Sequence, residues 1–478
     1  MATLLEVPKP EYDLMAVESI DRSTDNIVYR VYEPDVPLTI PANTTTPVNV
    51  VYSIRDLGEF FLLSDSYINV IGSFKQADGG NMDATDNPAL ECASTSFFSQ
   101  SRLRLNSQLI EDNSTLSHTN AFIRQLTTLS PDYVSTCGAN SGFILDENTG
   151  AAQDIDYRYT ATPAVVRNAT FNAGYRRRRA QAGGGEVDPM PTDGADQLAG
   201  IVERSYVVRL SDLFSAANCR KVLKNVSVRV ELTTRTQAEM VFQPAGVGEQ
   251  CKFEISKMQL VIAVHNPALD QLSRMEAELA SGQDINYQYL KYTTFESDVA
   301  AVNNSSYRSF TFNTSSQKPI AAFLTTQRVL SGDEQNYNSM VFDNCGLSNV
   351  RIKVNGKQYP YSEYETTFSN TRNLRNYARP YEELLRFMSK NYDVNSGALI
   401  TPEQWSLLYP LYYIPFHNLP PSPSYSLTAE VKSSLSGATA FPAENARSQT
   451  NYKIYLTLLT VGEFTISGDR SGVIVRSQ

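Results

Sequence analysis

The sequence predicts an all-β protein made of two tandem β-sandwich domains, each of about eight strands, with a few short helices. Three observations carry that prediction. Asn349–Tyr361 (NVRIKVNGKQYPY) alternates apolar Val350, Ile352 and Val354 with polar Asn349, Arg351 and Lys353, then reaches Asn355-Gly356, a pair that accepts positive φ at both turn positions. About half a chain earlier, Arg102–Ile110 (RLRLNSQLI) repeats the alternation and runs into another Asn-small pair. Each copy precedes an amphipathic helix, marked by Phe122, Leu126 and Leu129 in the first case and by Tyr381, Leu384, Leu385 and Met388 in the second.

Composition agrees with strands. The 478 residues are 41% hydrophobic and 19% charged, which describes a globular chain too long for one ordinary core. Tyrosine (27) and phenylalanine (21) far outnumber the single tryptophan, and Ser, Thr and Asn recur in turns, a bias toward β-structure. A net charge of −10 argues against a surface that coats nucleic acid, and no direct sequence-specific nucleic-acid binding is expected. Cys92, Cys137, Cys219, Cys251 and Cys345 are scattered and odd in number, so they read as free core thiols. No signal peptide is expected, because MATLLEVPKPEYD has no basic stretch followed by an apolar core, and no transmembrane segment is expected, because nothing approaches about eighteen consecutive apolar residues. Sequons such as those at Asn43, Asn113, Asn168 and Asn225 read as by-products of composition.

Taken in order, residues 1–37 read as an extended, Pro-containing arm. Strands follow at Val48–Ile54 and Ile68–Phe74, then the Arg102–Ile110 unit and its helix. A long loop covers 130–200, with Gly183–Gly185 and Asp188–Pro191 its least patterned part. Strands resume at Tyr206–Leu210 and Val226–Leu232, and at Cys251–His265, where the apolar phase slips after Ile255 and predicts a bulge. Pro267–Ser281 reads as a helix with Asn266 as N-cap, an apolar stripe of Leu269, Leu272, Met275 and Leu279, and Gly282 as its stop. Strands return at Ile285–Tyr289, Tyr307–Phe312, Ile320–Val329, Asn349–Tyr361, Trp405–His417, Ser426–Ser433 and Tyr452–Thr460. Element order then matches between halves: Tyr206–Phe214 with Tyr412–Pro420, Val226–Leu232 with Leu427–Ser433, and Phe253–Val264 with Tyr452–Glu463. The boundaries expected are an arm at 1–37, a first domain at 38–265, a connector helix at 266–282 and a second domain at 283–478.

Reaction chemistry is not legible. His118, His265 and His417 stand apart without a zinc motif, and no nucleophile elbow, phosphate loop or dinucleotide fingerprint occurs. Asp83, Asp86 and Asn87 resemble a fragment of a calcium loop but lack its spacing and terminal Glu, and read as a solvated turn. Glu382-Glu383, after Pro380, reads as a dipole-complementing first helical turn. Tyr287, Tyr289 and Tyr292 read as a strand face in a core or interface. Arg176, Arg177, Arg178 and Arg179 form the sharpest anomaly, a possible surface-loop basic patch: a localisation or nucleic-acid patch, a contact to an acidic neighbour, or a solvated loop. No catalytic residue, metal ligand or cofactor is expected, and the chain reads as a structural or binding protein rather than an enzyme.

Three blocks carry a family resemblance. Asn349–Tyr361 with Tyr377–Phe387, Ser101–Leu129, and Val202–Leu232 through Cys251–Ala280 together resemble, in order and spacing, the double jelly-roll major capsid proteins of the hexon-like lineage found in polinton-like viruses, adintoviruses and virophages. They span most of 45–465; the insert at 174–200 and the N-terminal arm depart from the pattern. The resemblance implies two tandem eight-stranded jelly rolls, and a homotrimer forming a pseudo-hexameric capsomer that tiles an icosahedral shell around a DNA genome. It also implies neighbouring capsomers, penton and minor or cement proteins as partners, and a place in the virion after assembly in the host nucleus or cytoplasm. On it, 130–200 and 330–346 become candidate exterior turrets. The alternative reading is a two-domain β-sandwich carbohydrate-binding protein; a cupin-type oxygenase ranks below it for want of clustered ligands.

Overall fold

The computed structural model describes residues 24–42, 44–82, 88–114, 116–146, 173–181, 203–242, 251–282, 284–314, 317–330, 338–368, 376–389, 397–435, 447–469 and 472–477. Its first eight principal strands are β1 (Thr24–Tyr32), β2 (Asn49–Leu57), β3 (Phe60–Gln76), β4 (Phe98–Leu105), β5 (Gln108–Asn113), β6 (Arg204–Arg209), β7 (Val226–Thr234) and β8 (Cys251–Pro267). The next eight are β9 (Asp284–Glu296), β10 (Arg308–Thr314), β11 (Pro319–Leu330), β12 (Leu347–Val354), β13 (Lys357–Glu365), β14 (Tyr412–Pro415), β15 (Tyr425–Ser433) and β16 (Arg447–Asp469). The first set makes two antiparallel sheets, ordered β1-β8-β3-β6 and β2-β7-β4-β5. The second set repeats both orders, as β9-β16-β11-β14 and β10-β15-β12-β13. Every strand of the first set thus has a counterpart eight strands later, which is the double jelly roll that the sequence order predicts. Two short strands, Ala300–Ala301 and Gly472–Ser477, add to β16.

The alternations place their apolar residues as expected. Val226, Val228, Val230 and Leu232 of β7, and Val350, Ile352 and Val354 of β12, are buried. Both hairpin turns use positive φ: Asn106 (46°) and Ser107 (67°) join β4 to β5, while Asn355 (48°) and Gly356 (83°) join β12 to β13. The expected bulge is present, a register shift between Ile255 and Lys257. The polar face of β12 is paired within its own sheet. Arg351 Nε and Lys353 Nζ reach Glu430 of the neighbouring β15 at 2.6 and 2.7 Å, a cross-strand pairing that neutralises charge within the sheet.

Other departures have local causes. Residues 24–32, assigned to the arm, form β1 because Ile27, Tyr29 and Val31 find the free edge of β8. Helix α1 (Ser117–Thr128) and helix α2 (Ala173–Gln181) precede the connector helix, α3 (Leu269–Ala280). Asn266 and Pro267 belong to the end of β8 rather than to a helix start, and Gly282 does adopt positive φ (70°) after α3. Leu272 and Met275 are half-buried, but Leu269 is 78% exposed. Helix α4 (Ala378–Met388) starts two residues before Pro380, so Glu382 and Glu383 fall in its second turn. There they pair with Arg386 and Arg379 at 3.2 Å rather than serving the helix dipole. Trp405 lies not in a strand but in a short helix, Pro402–Leu407, whose start is fixed by the reciprocal bonds of Thr401 and Gln404. The candidate turrets are only partly outward: Phe143, Leu145 and Asp146 are buried, as are Met340, Val341, Phe342 and Cys345, whereas Pro131–Thr136 has no buried residue and Cys137 is exposed. The calcium-loop fragment and Gly183–Gly185 lie outside the described residues.

The two cores cross-stitch. Phe122, Ile123 and Leu126 of α1 join the apolar cluster of the second strand set, with Phe323, Phe342, Trp405 and Leu456. In return Tyr287 and Tyr289 of β9 and Phe464 and Ile466 of β16 join the cluster of the first set, with Phe97, Leu213 and Phe253. Helix α1 is therefore buried on nearly every side.

Candidate functional site

The four arginines do not form a surface loop. They lie in α2, where Arg177 is exposed while Arg178 and Arg179 are 2% and 8% exposed. The physical reason is an acid deep in the fold. Arg178 Nη2 meets Asp146 Oδ1 at 2.5 Å, its Nη1 donates to the Ile144 carbonyl at 2.5 Å, and its Nε donates to Leu90 O at 3.0 Å. Burial opposes the arginine's charge, but the adjacent Asp146 carboxylate outweighs it and keeps Arg178 protonated. A helix turn sets the spacing: Tyr175, three residues before Arg178, packs edge-on to Phe242 on the same side. Sequence periodicity missed this because a run of like charges has no apolar stripe, and Tyr175 was the only hint.

Asp146 links the strand sets. Its Oδ2 accepts from Asn338 Nδ2 at 2.9 Å, and the same amide donates to Cys92 Sγ at 3.0 Å. The Asp146 N–H donates to the Tyr409 hydroxyl at 2.9 Å. Burial pushes the Cys92 thiol up to about 12, so it stays protonated. Beside this cluster Glu91 accepts from Arg235 at 2.5 Å and from both the N–H and the hydroxyl of Ser339 at 2.8 Å. Every charge here is paired and every acceptor occupied by another residue of the chain, which is the chemistry of a clamp and not of a reaction centre.

The seam between the sets continues along β9. Asn120 of α1 donates to the Tyr292 carbonyl and accepts from the Thr294 hydroxyl, both at 3.1 Å. The Tyr289 hydroxyl donates to Ile110 O at 3.3 Å, and that of Tyr287 to Val222 O at 3.0 Å. Tyr287, Tyr289 and Tyr292 are thus interface and core residues, as their spacing suggested. A cleft of about 710 Å³ along this seam is lined by Arg124, Arg209, Arg220, Asp65 and Asp212, a mixture of both signs.

On the far side of the second set, the edge strands β13 and β14 and helix α4 bound an open groove of about 550 Å³. Tyr359, Pro360, Phe387 and Tyr413 line it, Tyr361 stands at its rim 98% exposed, and Lys357 and His417 flank it. His265 instead faces Asp65 at 3.4 Å, and burial lowers the pKa of His118, which keeps it neutral. Among the described residues no three His, Cys, Asp or Glu side chains converge as metal ligands would, and no helix is long and apolar enough to cross a membrane. None of the five cysteines is in a disulfide; Cys92, Cys251 and Cys345 are buried as core thiols, whereas Cys137 is exposed.

A family model described as a double jelly roll-like domain matches residues 204–447, more than half of the chain. The chain belongs to the double jelly roll-like family. Solved structures of the same fold extend the likeness to the whole length. The crystal structure of the mavirus major capsid protein matches with a TM-score of 0.52 at 10% identity, covering 100% of this chain and 95% of that one. The Sputnik virophage structure determined by cryo-EM matches with a TM-score of 0.54 at 10% identity, covering 100% of this chain and 93% of that one. PBCV-1 VP54, fitted into a reconstruction of Sputnik, matches with a TM-score of 0.50 at 11% identity over 95% of this chain and 98% of its own. No curated protein matches the sequence.

Proposed function

We propose that this double jelly roll-like protein is a viral major capsid protein. One observation carries the reading: the two strand sets repeat the same sheet orders and are locked side by side by a buried polar seam. A chain built this way presents two near-equivalent blocks to its neighbours, which is what a closed ring of blocks requires. In this reading the chain trimerises, three copies supplying six rolls to a pseudo-hexameric capsomer, and capsomers tile an icosahedral shell around a DNA genome. The mavirus protein, which shares the fold and is named as a major capsid protein, supports it, as does the match to the Sputnik virophage structure.

The same proposal divides the chain into a first roll, a connector helix and a second roll, with the arm ahead of them. Strand pairing favours starting the first roll at Thr24 rather than 38 and ending it at Pro267, so the arm shortens to the residues before β1. Penton, minor or cement proteins and neighbouring capsomers are the partners proposed, the virion its location, and a host nucleus or cytoplasm its place of assembly. No reaction is assigned. The net charge of −10 leaves genome packing to separate basic proteins.

Size-exclusion chromatography with light scattering, followed by negative-stain microscopy, tests the proposal. A stable three-chain particle of hexagonal outline is the expected result. A monomer that binds glycans would replace this reading with that of a carbohydrate-binding sandwich.

A further inference from the structure

The seam inside one chain is a template for a contact between chains. In the seam, the free edge strand of the second set, β9, lies against the end of the first set formed by α1 and β5. The corresponding parts at the two outer ends of the molecule are β1, the free edge of the first set, and the α4–β13–β14 end of the second. The buried and open versions differ as a covered and an uncovered interface should. Tyr287, Tyr289 and Tyr292 of β9 are 3%, 9% and 2% exposed, whereas Ile27, Val28, Tyr29 and Val31 of β1 are 41%, 41%, 53% and 55% exposed. Helix α1 is buried around its circumference, but α4 leaves Arg379, Glu382 and Arg386 in solvent. An apolar edge strand exposed on both faces is a pairing surface awaiting a partner.

Register makes the correspondence residue-specific. Aligning Phe253–Val264 of β8 with Tyr452–Glu463 of β16 sets Ala263 against Gly462. Tyr29 pairs with Ala263 and Tyr289 with Gly462, so Tyr29 stands where Tyr289 stands; likewise Ile27, opposite His265, stands where Tyr287 stands, opposite Phe464. On the receiving side, superposing the turns Asn106-Ser107 and Asn355-Gly356 sets Ile110, whose carbonyl accepts the Tyr289 hydroxyl, on Tyr359, which lines the open groove.

We propose that the groove bounded by Tyr359, Tyr361 and α4 receives strand β1 of a second copy of this chain, with the partner copy's tyrosine at position 29 entering it as Tyr289 enters the internal seam. This rests on the reading that the chain assembles with itself, and it names the contact as head-to-tail, the kind that closes into a ring. The acceptor is preformed, and the donor strand needs no rearrangement beyond docking.

Two variants test it. One blocks the strand (Ile27→Asp with Tyr29→Asp); the other blocks the groove rim (Lys357→Glu with Tyr361→Asp), all at exposed positions. Light scattering should give three chains for the unsubstituted protein and one for each variant alone. An equimolar mixture should give two chains and no more, because a single intact strand–groove pair remains. If either variant melts early, Tyr29→Ala and Tyr361→Ala serve instead, each raising the midpoint concentration for assembly at least about tenfold. Variants that stay three-chain, or a mixture that rebuilds the full particle, would overturn this inference and leave the capsid reading standing. An unsubstituted protein that is a single chain would overturn the capsid reading and this contact with it.

Discussion

Arg178 and Asp146 face each other at 2.5 Å with side chains 1% and 0% exposed, and the same carboxylate is held from its other oxygen by Asn338. The pair ties helix α2 to the seam. Removing one charge strands the other in a dry site, so Arg178→Met should cost about 3–5 kcal/mol. Adding Asp146→Asn should recover part of that loss. Urea unfolding of the single and double variants checks both signs. A loss within about 0.5 kcal/mol, the level of an ordinary surface site, would mean that α2 is not integral to the fold.

Phe122 contributes to the second core from a helix that belongs by chain order to the first. Its ring sits about 6 Å, centroid to centroid, from those of Phe143, Phe342 and Tyr409. Phe122→Ala should destabilise by about 3–5 kcal/mol. Calorimetry should show one transition that shifts as a whole, since the helix that carries Phe122 into the second core is also bonded to the first set through Arg124 and Ser215. Two separated transitions would show that the cores are independent.

The paired hairpin turns differ in one residue. Gly356 has φ +83° and nothing within 4 Å of a Cβ built on it, so Gly356→Ala should cost about 1 kcal/mol through backbone strain alone. Ser107 occupies φ +67° with a side chain, and Ser107→Gly should relieve strain for a net gain of about 0.5 kcal/mol after the added freedom of the unfolded chain. Opposite shifts in the urea midpoint are the expected outcome. The same sign at both turns would contradict it.

Glu430 gives the fold an acid-sensitive contact. Burial would raise its carboxyl pKa, but the hydrogen bonds from Lys353 and Arg351 outweigh burial and hold it below the ordinary 4.5. A folded-state value below the unfolded one adds stability above the unfolded value and loses it as pH falls through the folded one. Glu430→Gln should therefore cost about 1–3 kcal/mol at neutral pH. That gap should close as pH is lowered from about 7 to about 3, read as melting temperature against pH. A gap that is unchanged across the range would rule the pairing out as a source of stability.

Much of this architecture was legible because strands announce their faces locally. The alternation at Val226–Leu232 and the Asn355-Gly356 turn dictate their own conformations, and the shared order of elements gave the duplication. What the sequence hid depends on partners far away in the chain. Arg178 looks like solvent until Asp146 is placed beside it, and 338–346 looks like a loop until Phe342 meets Phe122. Trp405 was read as strand because an aromatic-rich run outweighed the weaker signal of Thr401 and Gln404 capping a short helix. Residues 24–32 lacked a visible role because an edge strand takes its identity from the strand it pairs with.

Strand β16 is 23 residues long, and its two ends serve different cores: Ile454, Leu456 and Leu458 fill the second, while Phe464 and Ile466 fill the first, where Phe464 stacks on Tyr287 at 4.6 Å. During synthesis the first roll therefore emerges from the ribosome with a gap that only residues about two hundred positions past its last strand can fill. At translation speeds of about 5–20 residues per second, that leaves its apolar wall open for tens of seconds. A nascent chain of this protein keeps that wall uncovered until its final long strand arrives, and a truncation just before Phe464 leaves the distant first half, rather than the second half that it trims, without a finished interior.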